Sequence, residues 1–137
     1  MTLKVHSYAA GDWIAPGDSA RPIQSAVTGK VIAEAGGSPL NFGKMLDFAK
    51  SKGGPALRAM GFHDRAAMLK KLALYLNDRR EELYEISYDT GATLGDHKFD
   101  IDGGIGTLFV FSSKGRREMP DGNVYLDGGL ERFGREG

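Results

Sequence analysis

Leu69, Leu72, Ala73 and Leu76 fall at i, i+3, i+4 and i+7, which sets one apolar stripe along a helix. Lys70, Lys71, Asp78 and Arg79 lie off that stripe, and Leu83 and Ile86 carry an apolar face past Arg79-Arg80-Glu81-Glu82. That charged run reads as a solvated face with i,i+3 pairing. The apolar stripe has to be covered. At about 25 cal/mol per Å² buried, leaving a few hundred Å² bare forfeits several kcal/mol, comparable with a small domain's whole stability. The chain must bring its own second layer or borrow one, so association with more protein or self-association is expected.

Around this helix the chain divides into three blocks, residues 1–37, 38–115 and 116–137, expected as one partial domain. The first is β-rich. Val5, Tyr8, Trp13 and Ile14 flank Ala10-Gly11-Asp12, a short spacer suited to a hairpin, and Trp13 reads as a hairpin-packing aromatic. Thr28-Gly29-Lys30 is a turn before Val31-Ile32-Ala33-Glu34, a strand rich in β-branched residues. The second block is helical. Ser38 is the expected N-cap with Pro39 in the first helical position. Leu40, Met45, Leu46 and Ala49 recur near helical spacing, and Gly53-Gly54-Pro55 is expected to stop the helix. Gly91 is a C-terminal stop for the Leu-rich helix, and a further helix is expected over residues 96–114. The third block opens on the turn Pro120-Asp121-Gly122, and Val124-Tyr125-Leu126 and Leu130 to Phe133 are expected to form a hairpin across Asp127-Gly128-Gly129.

Charge and composition close off several classes. Eighteen Lys+Arg balance eighteen Asp+Glu, so no nucleic-acid footprint is indicated. No apolar run is long enough for a transmembrane helix, and the start lacks a secretory signal. The absence of cysteine removes disulfides and thiolate catalysis and makes the cytoplasm the expected location.

No catalytic constellation emerges from the residues alone. His6, His63 and His97 are far apart, without metal-ligand spacing, so no metal site is expected. Gly103-Gly104-Ile105-Gly106 resembles a phosphate loop, but the residues before it do not read as a buried strand and the later glycine of the dinucleotide fingerprint would fall at Phe109. Glycine in a helix costs about 1 kcal/mol against alanine, so three in four positions need a reason, such as close approach of a backbone or of a bulky ligand. Asp100 and Asp102 flank Ile101, and a helix would point them about 200° apart, so they are not an acid/base pair.

The order of segments carries more. Gly11-Asp12-Trp13-Ile14, then Ser25-Ala26-Val27-Thr28-Gly29-Lys30-Val31-Ile32-Ala33, an Arg65-centred helix start, the Leu-rich helix and Thr90-Gly91 together resemble the amino-terminal part of the NAD(P)-dependent aldehyde dehydrogenase superfamily. Two departures stand out: Ser25-Ala26 replaces the usual Asn-Pro, and Ala92 the Lys after Thr-Gly. Residues 53–60, 90–93, 102–109 and 115–124 are similar to a bifunctional branch of phenylacetate degradation. In that branch a dehydrogenase domain precedes a hot-dog hydratase-type domain that opens an oxepin-CoA ring. A sister branch acts on a semialdehyde-CoA of the benzoyl-CoA pathway and shares the stretch Asp100-Ile101-Asp102-Gly103.

The resemblance implies an α/β fold, incomplete in this chain: β-hairpins plus helices that normally pack on a Rossmann-like sheet. It implies oxidation of a CoA-linked semialdehyde with NADP or NAD in the parent enzyme, through a nucleophilic thiolate and hydride transfer. The family's cofactor loop, general-base Glu and nucleophilic Cys lie further along than Gly137, so this chain is expected to hold no catalytic and no cofactor-binding residue and to be inactive alone. Its implied partners are the remainder of the dehydrogenase and other subunits of a homo-oligomer. In related enzymes the helix after Thr-Gly lines the aldehyde channel, which places Phe99 and Gly103 on that lining. Two other readings remain open: an autonomous assembly module using its hairpins, and a small nucleotide-binding protein using the Gly103 segment.

Overall fold

A computed structural model describes residues 2–128. Five strands come first: β1 (Leu3–Lys4), β2 (Ser7–Ala9), β3 (Asp12–Ile14), β4 (Arg21–Gln24) and β5 (Val31–Ala35). Six helices follow: α1 (Phe42–Phe48), α2 (Gly54–Ala59), α3 (Phe62–Asn77), α4 (Arg80–Ser87), α5 (Leu94–His97) and α6 (Gly103–Arg117). The fold is therefore α/β, with sheet and helices in sequence blocks.

β2 and β3 form the expected antiparallel hairpin, with Ala9 opposite Asp12 and Tyr8 opposite Trp13. The two turn residues are Ala10 and Gly11, both at positive φ (52° and 98°), as a type I′ turn demands. Tyr8 and Trp13 meet with ring centroids 5.0 Å apart, a cross-strand aromatic pair. β5 covers the expected strand and lies between two partners, β4 antiparallel and β1 parallel. β4 carries no local strand signal in the sequence. Its Pro22 suits an edge strand, where a missing N–H costs no ladder bond, and all four of its residues are exposed.

The helical block departs from expectation in two places. α1 begins at Phe42, not Pro39: Asn41 is its N-cap, and Asn41 Oδ1 accepts from the Lys44 N–H at 2.9 Å. Ser38, the expected cap, instead donates its hydroxyl to the Ala15 carbonyl (3.0 Å) and ties the loop to the hairpin side. Gly53-Gly54-Pro55 does not end the helical path. A π-helical turn over Ala49–Gly53 leads directly into α2, with Pro55 in its first turn, where a missing N–H is harmless. The break falls at Met60, which is extended (φ −84°, ψ 137°).

The core is the antiparallel pairing of α3 with α6. Ala66 and Ala73 are the buried residues of α3, Ile105 and Ser112 those of α6. Small residues let the backbones approach. The Ser112 hydroxyl donates to the Ala66 carbonyl at 2.8 Å, and a Cβ on Gly115 would stand 3.1 Å from Ala66 Cβ. Beyond the pair, Phe62 N–H donates to Gly122 O (2.6 Å) and Asn123 donates to Arg58 O (3.1 Å), which folds residues 119–123 back over the start of α3. Leu69 and Leu76 are half-buried, but Leu72 is 45% exposed, so the covered stripe runs Ala66-Leu69-Ala73-Leu76. Val124-Tyr125-Leu126 carry no strand pairing among the described residues, and the partner expected at Leu130 to Phe133 lies outside them.

Much apolar surface is left open. The chain exposes 10920 Å², where a self-contained globule of this length exposes about 7000 Å². Phe42, Trp13, Phe99 and Phe111 are all more than half exposed.

Candidate substrate-channel site

The segment from Thr93 to Gly106 is built to hold one shape. Thr93 and Asp96 form a capping box at the start of α5. Asp96 Oδ2 accepts from the Thr93 N–H (2.9 Å) and from the Thr93 hydroxyl (2.7 Å), and Thr93 Oγ1 accepts from the Asp96 N–H (3.3 Å). These bonds to the Thr93 side chain and backbone hold the Asp96 carboxyl below the usual carboxylate range.

His97 closes α5 and is wholly buried. Its Nε2 lies 2.8 Å from the Ala92 carbonyl oxygen and its Nδ1 3.2 Å from that of Tyr84. The Tyr88 ring packs on it with centroids 4.4 Å apart. This histidine is a packing staple between α4 and α5. His6 and His63 face carbonyl oxygens of Lys4 and Met119, in separate parts of the chain. Among the described residues no group of His, Asp and Glu could hold a metal ion.

The helix expected over residues 96–114 is interrupted by a π-helical turn, Lys98–Asp102, between α5 and α6. The wider turn sends Phe99 outward, 83% exposed, and leaves Asp102 facing α4. There the Tyr84 hydroxyl donates to Asp102 Oδ1 at 2.5 Å. That bond, together with burial, pushes the Tyr84 hydroxyl up to about 12. Asp100 shares none of this, so the two carboxylates do not act as a pair.

Gly103, Gly104 and Gly106 open α6, and a Cβ at any of them would meet nothing within 4 Å. Among the described residues no backbone outside their own helix approaches them, so packing there does not account for the glycines. They also do not fit a dinucleotide pyrophosphate. They follow a helical turn, not a strand, and the Gly103 N–H already bonds to the Phe99 and Asp100 carbonyls. Phe99 and Gly103 thus sit four residues apart at the π turn, an exposed ring and an exposed glycine with open space over its backbone. The resemblance names Phe99 and Gly103 but gives no sign of Tyr84 or of the π turn that presents them, while His97 is a packing histidine. Tyr84 and Asp102 lie eighteen residues apart, and nothing local marks them as partners.

A hairpin, a three-stranded sheet and a close-packed helical pair, with a glycine-faced helix after Thr90-Gly91, make up the described fold. The sequence matches the aldehyde dehydrogenase family over residues 13–129, and the chain belongs to that family. It is similar to the 3,4-dehydroadipyl-CoA semialdehyde dehydrogenase of Aromatoleum evansii, with 33% identity over 115 residues. The match takes in 83% of this chain and spans 22% of that relative's length.

Proposed function

We propose that this chain is the amino-terminal portion of an NAD(P)-dependent enzyme that oxidises a CoA-linked semialdehyde to the acid, and that it forms one wall of the aldehyde channel without catalysing by itself. The observation that carries this is the open space over Gly103, four residues after the exposed Phe99. Three helical glycines with no close neighbour among the described residues are accounted for by a bulky substrate passing over them. Where a larger side chain would narrow the passage, Gly103 leaves room for a CoA-linked chain.

The nicotinamide cofactor, NADP or NAD, and the nucleophilic thiolate are supplied by the rest of the enzyme. The excess exposed surface supports the same view: exposed apolar residues such as Trp13, Phe42 and Phe111 are covered by the remainder of the dehydrogenase and by further subunits of a homo-oligomer. The setting is aromatic catabolism in the cytoplasm, with phenylacetate degradation as the first reading. A second is favoured by the relative from Aromatoleum evansii, whose name specifies 3,4-dehydroadipyl-CoA semialdehyde.

The test is Gly103→Leu in the enzyme assembled with this chain. The expected result is a loss of turnover on CoA-linked semialdehydes that spares small aldehydes. Equal activity on both would remove the channel reading, and nicotinamide reduction by the purified chain alone would remove the claim that it is inactive.

A further inference from the structure

We propose that the cleft between α3 and α6 holds the phosphorylated adenosine end of a CoA thioester, a site separate from the open space over Gly103. The inference rests on the CoA-linked substrate proposed above. The cleft has a volume of about 590 Å³ and is lined by Lys70, Phe109, Ser112, Ser113, Arg116 and Arg117. A smaller cavity of about 170 Å³ adjoins it, shares Lys70, Ser112 and Arg116, and adds His63.

The Ser112–Ala66 hydrogen bond marks one point of close contact between the two helices. Lys70 stands one turn C-terminal to Ala66, and Arg116 one turn C-terminal to Ser112. In an antiparallel pair those two steps run in opposite directions, so Lys70 and Arg116 flank the contact from either side, and with Arg117 they border a single hollow.

Among the described residues the lining carries one ammonium and two guanidinium groups and no carboxylate. Among the described residues, the ion pairs are His63 with Asp121 (3.7 Å), Arg80 with Glu81 and Lys114 with Glu118. Lys70, Arg116 and Arg117 are in none of them. The helix dipole favours Arg116 and Arg117 at the end of α6, but Lys70 lies in the body of α3 and has no such reason. A cleft of one sign concentrates potential and draws in an anion. Guanidinium groups match phosphate oxygens in pairs, and the Ser113 hydroxyl adds a donor. Half-buried Phe109 offers a flat apolar surface for a purine ring. A phosphate-rich ligand with an aromatic base meets each of these features. The adenosine 3′-phosphate 5′-diphosphate of coenzyme A is such a ligand, and it would leave the acyl arm free to reach the channel.

Calorimetric titration of the full chain with coenzyme A, dephospho-coenzyme A and NADP tests this. Coenzyme A is expected to bind, with dephospho-coenzyme A about tenfold weaker for want of one phosphate. Arg116→Gln and Arg117→Gln should each weaken coenzyme A by about tenfold, and Lys70→Met should act in the same direction. Lys114→Gln, outside the cleft, should leave affinity unchanged, and circular dichroism should match the parent for all four variants. Absence of coenzyme A binding, equal binding of the dephospho form, indifference to the three cleft variants, or preference for NADP would each overturn the proposal. Its failure is distinct from that of the proposed reaction. Coenzyme A bound with these losses, but no nicotinamide reduction by the assembled enzyme on any CoA-linked aldehyde, would sink the reaction and leave the site standing.

Discussion

Gly115→Val should separate α3 from α6. A Cβ at this position would stand 3.1 Å from Ala66 Cβ, already tighter than ordinary contact, and valine adds two methyl groups beyond it. Ala66 is 4% exposed and sits on a helix packed along its length, so it cannot yield far. Relief therefore comes from moving the helices apart. The Ser112–Ala66 hydrogen bond, 2.8 Å long, breaks if that movement reaches about 1 Å. Overpacking of this kind costs about 1–3 kcal/mol, and the lost hydrogen bond about 1 kcal/mol more. The total, about 2–4 kcal/mol, is a large part of a small domain's stability. Gly115→Ala is the control: it needs only a few tenths of an ångström, and the helix propensity gained, about 1 kcal/mol, offsets the squeeze. Urea denaturation followed by circular dichroism reads both variants. A Gly115→Val midpoint equal to that of Gly115→Ala would refute the close crossing.

Further outcomes follow from other parts of the fold. Gly17→Ala would place its Cβ 1.9 Å from the Gly37 carbonyl oxygen, a backbone clash that neither loop can absorb; thermal denaturation should show a loss at least as large as that of Gly115→Val, and an unchanged melting temperature would contradict the geometry. Ala10→Gly should stabilise the hairpin by about 1 kcal/mol, because alanine at φ 52° is strained where glycine is not; a destabilised variant would argue against the turn type. Tyr84 has a folded value of about 12 against an ordinary 10.0, so its contribution is whole below pH 10 and is lost as pH rises towards 12. One of the five tyrosines should accordingly titrate late by tyrosinate absorbance, and Tyr84→Phe should remove that late component.

The sequence made some of this legible and concealed the rest for physical reasons. The hairpin at Trp13, the strand from Val31 and the helix around Leu69 are local, and each is marked by its own turn chemistry or periodicity. The α1 start was misplaced because Ser38 and Asn41 are both competent caps. The choice between them was made by Ala15, twenty-three residues away, which takes the Ser38 hydroxyl. Gly53-Gly54-Pro55 reads as a stop by residue type, yet proline in a first helical turn is equally a start. The stripe on α3 was right in kind but rotated. Leucines mark an apolar face, while a close crossing selects alanines, and the partner's Ser112 and Gly115 could not be known from α3 alone. At the candidate site, Phe99 and Gly103 came from resemblance, not from chemistry in the residues themselves. The tyrosine–carboxylate bond and buried histidine that hold them in place join elements by tertiary contact and leave no local signature.

β1 pairs in parallel with β5, Leu3 beside Ala33, so the β2–β3 hairpin and β4, itself paired to the far edge of β5, all lie in the stretch of chain that this ladder closes. That ladder can form only after everything it encloses has collapsed, because closing so long a loop costs entropy that local pairing does not repay. Folding should therefore end at the chain's beginning. Bulky groups fused ahead of Leu3 would disturb the last step of assembly more than its final stability, and the delay would be seen in refolding kinetics before it was seen at equilibrium.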